Sequence, residues 1–344
     1  MTPAIALSVL DQSPISSGAT PAEAIQQTIA LAQLAERLGY RRYWLAEHHN
    51  TGSLAGSTPE ILTTRVAAAT ETIRVGSGGV MLSHYSPLKV AENFRMLHAL
   101  FPGRIDLGIG RAPGSDGRTA LALARGAPAS IERFPEQLQE LAGFLHDALP
   151  PDHPYAGVHA TPLGPGAPEM WLLGSSDQSA AYAAHYGYAF SFAHFINPHD
   201  AAAVLAGYRD WFRPAFLLKE PRASVAVRVL CAETNAEAQR LAASFALMRL
   251  RMERGELGPV PSVEEALAYP YSDWERSRLA GISGRAVVGD QATVKAALER
   301  MAAEYRVDEI VVVTIVHDPR ARQRSYELLA AAFGLGQRAA TARP

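Results

Sequence analysis

Short apolar runs alternate with helical patterns along this chain, and that alternation constrains its fold more than any other feature. Eight runs rich in valine, isoleucine and aromatic residues recur at 5–11, 42–47, 73–82, 104–110, 169–175, 188–195, 224–232 and 308–316. Most are apolar without interruption, which is typical of parallel strands whose two faces are both covered. The sequence therefore predicts eight buried parallel strands.

Helix signals fill the segments between these runs. The first segment has Thr20 as a cap, a proline at its first position, Glu23 three residues after the cap and Gly39 at its end. This arrangement is typical of a capped α-helix. Ser/Thr–Pro openings recur at 57–59 and 86–87. Further helical patterns predict helices at 130–148, 176–187, 199–218, 235–252, 290–305 and 319–333.

Strand–helix alternation repeated eight times predicts an α/β fold of the (β/α)8 TIM-barrel type, which takes ~250 residues before insertions. An open, doubly wound sheet is the alternative. Its usual G-x-G-x-x-G turn is missing from the first strand–helix junction, 10–24, and eight strands suit closure better than an open sheet. We expect a single domain over residues 1–344.

Surplus length after the fourth and seventh strands predicts insertions in the barrel. Residues 111–130 and 148–168 are rich in glycine and proline, and they flank the helix expected before the fifth strand. The larger insertion, 251–289, is too irregular for one regular element. Loops of this length inside a domain are usually functional lids or disordered. We expect 251–289 to form a mobile lid.

Composition excludes several classes of protein. With 32 basic and 34 acidic residues, no bulk field attracts nucleic acid or an anionic membrane. No apolar run approaches the ~20 residues of a membrane span. Cys231 is the only cysteine, which excludes an internal disulfide and fits a reducing cytoplasm. The lysines, Lys89, Lys219 and Lys295, fall in predicted helices, whereas a Schiff-base aldolase needs a lysine at a strand end.

Barrel enzymes carry their chemistry at the carboxyl ends of the strands, and the fifth strand ends in GSSDQS. Ser175, Ser176 and Ser179 open the following helix, and Arg111 comes directly after the fourth strand. Free amides at a helix start, its positive dipole end and nearby hydroxyls favour an anion such as phosphate. Ordinary N-capping by serine is the alternative.

The third strand contains two consecutive glycines, Gly78 and Gly79. Glycine weakens a buried strand, so a pair of them usually marks a bulge or a close approach of the backbone to another group. A flat ring lying against the strand would need the missing side-chain volume. A bend required by the barrel itself explains the pair equally well.

The second strand ends in EHHN, residues 47–50. Adjacent side chains of an extended chain point to opposite faces, so His48 and His49 cannot easily serve one centre. A proton donor or acceptor in the site, a structural histidine at the barrel rim and a metal ligand remain as explanations. The partners for a metal would be His84, His194 or His317, although no ligand spacing supports one.

These motifs together resemble one family, the bacterial luciferase-like flavin-dependent monooxygenases. The resemblance covers nearly the whole chain. It is carried by DQSP, LAERLGYRRYWLAEHHN, IRVGSGGVMLSHYSPLKVAENF, PGRIDLGIGRAPG, WLLGSSDQSA and VDEIVVVTIVHDPRARQRSYELLA. It implies a (β/α)8 barrel that binds FMN at the carboxyl ends of its strands, usually as a homodimer. For the dimer we expect the small-residue segment TTRVAAATET to pack against a symmetry mate.

The resemblance also implies roles for individual residues. The family's catalytic histidine corresponds to His48, and the non-proline cis peptide against its flavin corresponds to Gly78–Gly79. The FMN phosphate would be held by Arg111, Ser175, Ser176 and Ser179. The insertion 251–289 corresponds to the family's mobile lid. One departure stands out, because the cysteine that luciferases place near the flavin corresponds to Gly110 here, and nothing supports luminescence.

The resemblance implies a monooxygenase that uses reduced FMN and O2 on a small, apolar organic substrate. The lid would exclude water, and His48 would act as general acid or base. A separate flavin reductase would supply the reduced FMN. Three alternatives are a deazaflavin-dependent oxidoreductase, a non-catalytic flavin-binding protein and a flavin-free barrel acting on a sugar phosphate. Candidates for an apolar pocket wall are Tyr85, Phe190, Phe192 and Phe195, although core packing is the expected role for at least half of them.

Overall fold

The computed structural model describes residues 5–124 and 132–336. The strands in these residues are β1 (Ala6–Asp11), β2 (Arg42–Leu45), β3 (Arg74–Met81), β4 (Ile105–Gly110), β5 (Glu169–Gly174), β6 (Ala189–Ala193), β7 (Ala223–Cys231), β8 (Ala286–Gly289) and β9 (Glu309–Val313). The helices are α1 (Pro21–Leu38), α2 (Pro59–Ala68), α3 (Pro87–Leu100), α4 (Gly117–Leu123), α5 (Phe134–His146), α6 (Asp177–Tyr186), α7 (Ala201–Asp210), α8 (Asn235–Glu253), α9 (Val263–Ala268), α10 (Asp273–Ser283), α11 (Gln291–Tyr305) and α12 (Pro319–Phe333).

The strands close into a parallel barrel. Neighbours pair in the order β6-β5-β4-β3-β2-β1-β9-β7, and β6 pairs with β7 to complete the ring. The predicted (β/α)8 TIM barrel is therefore confirmed, and the open doubly wound sheet is wrong. Each predicted run supplies one barrel strand. The remaining strand, β8, lies outside the ring and extends β7 on one side, with Arg228 opposite Ala286 and Cys231 opposite Gly289.

Side chains of each barrel strand alternate between two cores. In β2, Tyr43 and Leu45 face the surrounding helices and belong to the large core between barrel and helices. Trp44 has the opposite orientation and packs inside the barrel with Leu10 and Trp171. Both faces are covered, as in parallel sheets generally, which is why the runs look continuously apolar in the sequence.

The start of α1 follows the predicted capping chemistry, whereas Thr58 before α2 and Ser86 before α3 make no side-chain cap hydrogen bond. The Thr20 side chain accepts from the Glu23 amide, and the Glu23 carboxylate accepts from the Thr20 amide, which makes a complete capping box. The helix ends at Gly39, which has φ 85°, a left-handed conformation that glycine adopts without steric cost. The local sequence therefore defines α1 at both ends.

Several predicted boundaries are wrong. The helix expected at 199–218 ends at Asp210, so Lys219 lies in the loop before β7 and outside any helix. That loop precedes β7, at the end of the barrel away from the strands' carboxyl ends.

The insertion 251–289 holds α9, α10 and β8 as regular elements. Residues 125–131, part of the insertion predicted at 111–130 and of the helix at 130–148, lie outside the described residues.

A buried ion network occupies the amino end of the barrel. The Arg42 side chain is fully buried, and its Nε donates to Glu309 Oε1 at 2.6 Å. Its Nη1 donates to Asp106 Oδ2 at 2.7 Å and to Glu169 Oε1 at 3.3 Å. The guanidinium also lies over the Trp171 ring, 4.8 Å from its centroid. The charge of Arg42 is thus matched by carboxylates from three other strands.

Among the described residues, none of the helices combines the length and the apolar character needed to cross a membrane.

We predict that Arg42→Met will destabilise the fold by roughly 3–5 kcal/mol, because it leaves buried carboxylates without their main partner. The matched control is Arg41→Met. Arg41 also reaches Glu309, at 3.4 Å, but its side chain is 40% exposed, and an exposed pair contributes only ~0–1 kcal/mol. Free energies of unfolding from urea titrations measure both effects. Equal losses in the two variants would contradict the importance of the buried network.

Candidate functional site

A cleft opens at the carboxyl ends of the barrel strands, where barrel enzymes place their sites. It contains ≈ 1010 Å³ of empty space, including its open mouth. Every residue predicted for the site lines this one cleft: His48, Gly78, Gly79, Arg111, Ser175, Ser176 and Ser179. The structure therefore brings together residues from four strand ends.

One end of the cleft is formed by the start of α6. Ser176 is the N-cap residue, and its Oγ accepts from the Ser179 amide at 3.3 Å. The two hydroxyl oxygens are 3.2 Å apart. Arg111 reaches across from the end of β4 and donates from Nη1 to Gln178 Oε1. The serines thus cap the helix, and with a guanidinium beside them they form a surface that suits an anion.

The diglycine lies in the middle of the cleft. The Gly78–Gly79 peptide bond is cis, and the register between β3 and β4 shifts at this point. A Cβ on Gly78 would lie 2.6 Å from Leu10 Cδ1, and one on Gly79 would lie 2.8 Å from the Gly108 carbonyl. Packing inside the barrel therefore already requires both glycines. Of the two explanations drawn from the sequence, the geometry favours the barrel bend as their cause.

The two adjacent histidines point to different surroundings. β2 ends at Leu45, and the His48 amide then donates to the Gly56 carbonyl at 2.8 Å. The His48 side chain lines the cleft, and its buried Nδ1 has no hydrogen-bond partner among the described residues. His49 turns away and bonds Glu47 Oε1 through Nε2 at 2.8 Å. Only His48 faces the centre, as predicted.

Glu47 fixes the strand end that carries His48. Its side chain is fully buried and accepts three hydrogen bonds. The Met81 amide donates to Oε2 at 2.9 Å, the Tyr85 hydroxyl donates to Oε1 at 2.7 Å, and His49 contacts the same Oε1. Burial and the adjacent Glu47 carboxylate raise the pKa of Tyr85, so the phenol stays a donor. This cluster links the end of β2 to the segment after β3.

His48 is a neutral imidazole at neutral pH. Burial lowers its pKa from 6.5 to about 4, and the electrostatic effect of the neighbouring His49 acts in the same direction. A neutral imidazole has one nitrogen that accepts and one that donates a hydrogen bond. His48 can therefore accept a proton from a molecule in the cleft or donate a hydrogen bond to it.

A second cavity adjoins the cleft on the side of α8 and the 251–289 insertion. It contains ≈ 960 Å³ of empty space. Residues shared by the cleft and the second cavity are Gln12, His48, Phe195 and Ile196. His48 thus stands at the junction of the two spaces.

The predicted apolar wall is only partly correct. Phe195 lines both spaces, but Phe190 and Phe192 are fully buried in the core that faces the helices. Their neighbours Ser191 and Ala193 line the cleft instead. Alternate residues of a strand point to opposite faces, so Phe190 and Phe192 share one face of β6 and Ser191 and Ala193 share the other. This alternation, applied to β6, would have identified Ser191 and Ala193 as the residues that face the cleft.

Arginines of the second cavity were missed by the sequence analysis. Arg228 lies on the inward face of β7, Arg249 on α8 and Arg285 just before β8, and all three line this cavity. A charged residue inside the apolar run 224–232 was the available signal for Arg228.

The histidines considered as metal partners lie in separate places. His84 Nε2 contacts the Pro113 carbonyl at 2.8 Å, and His317 Nε2 lies 3.0 Å from the Ser17 hydroxyl. His194 packs against Tyr305, with ring centroids 6.0 Å apart. Across residues 5–124 and 132–336, no group of three or more His, Cys, Asp or Glu side chains is arranged to hold a metal ion.

Comparison with known families identifies the class to which this barrel and cleft belong. The family model described as luciferase-like monooxygenase matches residues 5–309. The chain therefore belongs to the luciferase-like monooxygenase family, and the resemblance seen in the sequence is confirmed.

Individual relatives align over almost the whole chain. The uncharacterized protein YceB of Bacillus subtilis (strain 168) is 48% identical, covering 96% of this chain and 99% of that protein. The N-acetyl-S-alkylcysteine monooxygenase of the same organism is 39% identical, covering 94% and 97%. The crystal structure of apo-MsnO8 superposes with a TM-score of 0.89 at 44% identity, covering 96% and 99%.

More distant structures share the fold alone. The oxygenating constituent of 3,6-diketocamphane monooxygenase from Pseudomonas putida, solved with FMN, is 18% identical with a TM-score of 0.70, covering 96% of this chain and 98% of that one. An F420-dependent secondary alcohol dehydrogenase is 11% identical with a TM-score of 0.71, covering 96% and 99%. Barrels of this shape are thus found with both flavin and deazaflavin cofactors.

We predict that His48 will make the fold less stable in acid. Unfolded chains bind a proton at the ordinary pKa of 6.5, whereas folded His48 does so only near 4, so its contribution is constant above pH 6.5 and is lost as the pH falls toward 4. The loss is at most roughly 3 kcal/mol, at about 1.4 kcal/mol per pKa unit. Urea unfolding of wild type and His48→Gln across this range measures it. A pH dependence identical in both proteins would contradict the buried, neutral state.

Proposed function

We propose that this protein is an FMN-dependent monooxygenase that uses reduced flavin and O2 to oxidise a small organic molecule. The observation that carries the proposal is the single cleft that joins a neutral histidine, a diglycine strand and a hydroxyl-rich helix start with a guanidinium beside it. Membership in the luciferase-like monooxygenase family supports it.

The residues of the cleft fit FMN in two parts. The surface formed by Arg111, Ser175, Ser176 and Ser179 suits a phosphate, because it combines a guanidinium with hydroxyls and a helix N-terminus. The segment Gly78–Gly79 presents backbone without side chains to the middle of the cleft, where a flat ring can approach closely. When bound, reduced FMN would supply the electrons for oxygen chemistry, which the side chains of the chain cannot supply.

His48 is the residue we assign to proton transfer. It stands where the cleft meets the second cavity, and its Nδ1 is free of any partner in the described part of the chain. Its lowered pKa keeps it neutral at pH 7, so one ring nitrogen can accept a proton while the other donates a hydrogen bond. The Glu47 cluster positions the strand end beneath it without touching the cleft side of the ring.

The 251–289 insertion is the part we assign to excluding water. Ile282 and Arg285 from this insertion line the second cavity, so α10 and the segment before β8 cover the side opposite the barrel. Oxygen chemistry with reduced flavin needs protection from water, and a cover over the site provides it. We propose that this insertion is the mobile lid.

The source of electrons is a separate protein in this proposal. Reduced FMN would be supplied by a flavin reductase. The relative named N-acetyl-S-alkylcysteine monooxygenase is named for a small organic molecule, and we propose a substrate of similar scale for this protein.

Flavin titrations test the proposal. We predict that the protein binds FMN and reduced FMN more tightly than a deazaflavin, and that Arg111→Met weakens FMN by about tenfold or more, because a charge-assisted pair with phosphate is lost. Riboflavin, which lacks the phosphate, should bind both proteins equally. Fluorescence quenching measures the affinity of each of these ligands for wild type and for Arg111→Met.

Two controls define the outcome of these titrations. Arg118→Met changes an exposed arginine of α4 that lies outside the lining of the cleft and should leave FMN affinity unchanged, as should His48→Ala. Tight binding of the deazaflavin alone would exclude the FMN-dependent reaction and favour hydride transfer. Equal loss of FMN and riboflavin in Arg111→Met would place Arg111 away from the phosphate.

We also propose a homodimer formed through α2 and α3. The segment suggested by its small residues is partly buried within the chain, since Val66 and Ala67 are in the core. The exposed apolar residues nearby are Ile61 of α2, which is 67% exposed, and Met96 and Leu100 of α3, at 50% and 55%. Large apolar side chains grouped on touching helices are typical of an interface.

Light scattering tests the dimer. We predict a particle of twice the chain mass of 36.9 kDa, and Ile61→Arg should shift it toward the monomer because a charge would be buried at the contact. The matched control is Leu267→Arg on α9, where the leucine is 61% exposed. A monomeric wild type, or equal dissociation by both variants, would contradict this interface.

A further inference from the structure

The second cavity is rich in positive charge. It is lined by the three arginines Arg228, Arg249 and Arg285, and by a single carboxylate, Glu253. Three positive charges and one negative charge leave a surplus of two. Apolar side chains form much of the remaining wall, including Phe245, Met248 and Ile315.

Arg228 is the least compensated of these arginines. Its Nε is buried and has no hydrogen-bond partner among the described residues. Its guanidinium carbon lies 3.7 Å from the centroid of the Phe245 ring, so an aromatic face is its nearest favourable contact. Burial and the positive charges of Arg249 and Arg285 lower its pKa to about 9, with no carboxylate among the contributing groups. It remains protonated at neutral pH.

The carboxylate in the wall, Glu253, is not paired with Arg228 or Arg285. Glu253 Oε1 lies 3.9 Å from Arg249, whereas Glu253 Oε2 pairs with Arg278 at 2.7 Å. Arg285 donates from Nη1 to the Ile196 carbonyl at 3.3 Å. Arg228 and Arg285 therefore face the cavity without an anionic partner in the described part of the chain.

Charges left unmatched in a partly buried space are costly, and proteins usually pair them or use them to bind a ligand. A guanidinium presents a rigid set of donors that suits an oxyanion such as a carboxylate. The apolar walls would accept a hydrocarbon body attached to that anion. The shared residue His48 lies where the second cavity opens into the cleft, and Arg285 is bonded to Ile196, another residue of that junction.

We infer that the second cavity is the substrate subsite and that the substrate is a small organic oxyanion with an apolar body, held at its charged end by Arg228, Arg249 and Arg285. This inference rests on the proposed function, because it takes the cleft as the cofactor site. It differs from the small, apolar substrate that the resemblance implies. Anchoring the charged end in the second cavity keeps the apolar part near His48, where this cavity meets the cleft.

Calorimetric titration with two probes of equal chain length tests the subsite. Hexanoate carries the anion and hexan-1-ol does not. We predict that the FMN-loaded protein binds hexanoate at least about tenfold more tightly than hexan-1-ol, and that Arg228→Met and Arg249→Met remove this preference, because each takes away a charge-assisted contact. Binding of hexan-1-ol should change little in either variant.

The matched control is Arg240→Met. Arg240 is on α8 like Arg249, but it is exposed and pairs with Glu237 at 2.7 Å, so the preference for hexanoate should persist. Arg249→Met changes a side chain that is 35% exposed, which keeps the test available if Arg228→Met does not fold. Equal affinity for the two probes, or a preference that survives both cavity variants, would overturn the inference and leave Arg228 as a partner of Phe245 only.

The same samples separate this inference from the proposed function. The heat of hexanoate binding is measured both with and without FMN, so the anion subsite is tested separately from flavin binding. Protein that prefers hexanoate but fails to bind any flavin would contradict the proposed function and the naming of the ligand as substrate. Protein that binds FMN but shows no preference for hexanoate would contradict the anion subsite alone.

Discussion

The guanidinium of Arg42 is buried at the amino end of the barrel, where it binds β2 to three strands with which β2 does not pair. It comes from β2, while its partners Asp106, Glu169 and Glu309 belong to β4, β5 and β9. These contacts cross the inside of the ring, so they add to the ladders between neighbouring strands. Main-chain pairing alone fixes each strand to its neighbours, whereas the buried charges also fix strands across the barrel.

The inward face of the same strand leads from this network to the site. Counting in steps of two from Arg42 gives Trp44, Ala46 and then His48. Trp44 and Ala46 pack inside the barrel, and His48 emerges at its open end. Buried charges are matched at one end of the barrel, whereas at the other end His48 Nδ1 and Arg228 Nε have no hydrogen-bond partner within the described residues. The two ends therefore divide stability and chemistry between them.

The sequence predicted the eight barrel strands because each is an apolar run followed by a helical pattern. It also grouped the cleft residues, since the carboxyl ends of parallel strands meet at one end of a barrel. It missed β8, because four residues within an irregular insertion have no period of their own and are set by pairing with β7. The Arg42 network is visible in the sequence as charged residues at the starts of four strands. Which of these residues contact one another depends on the closed barrel and cannot be predicted from local sequence.

The added strand β8 fixes the main chain beside Arg285 to the main chain of Arg228. Arg285 directly precedes Ala286, which pairs with Arg228 through the main chain. The spacing between these two arginines is therefore set by backbone hydrogen bonds, which do not depend on the identity of nearby side chains. Changes in α10, which contributes Ile282 to the cavity wall, can alter the depth and shape of the space while the main chains that carry the two arginines keep their separation. Selectivity for length and bulk can thus vary independently of selectivity for charge.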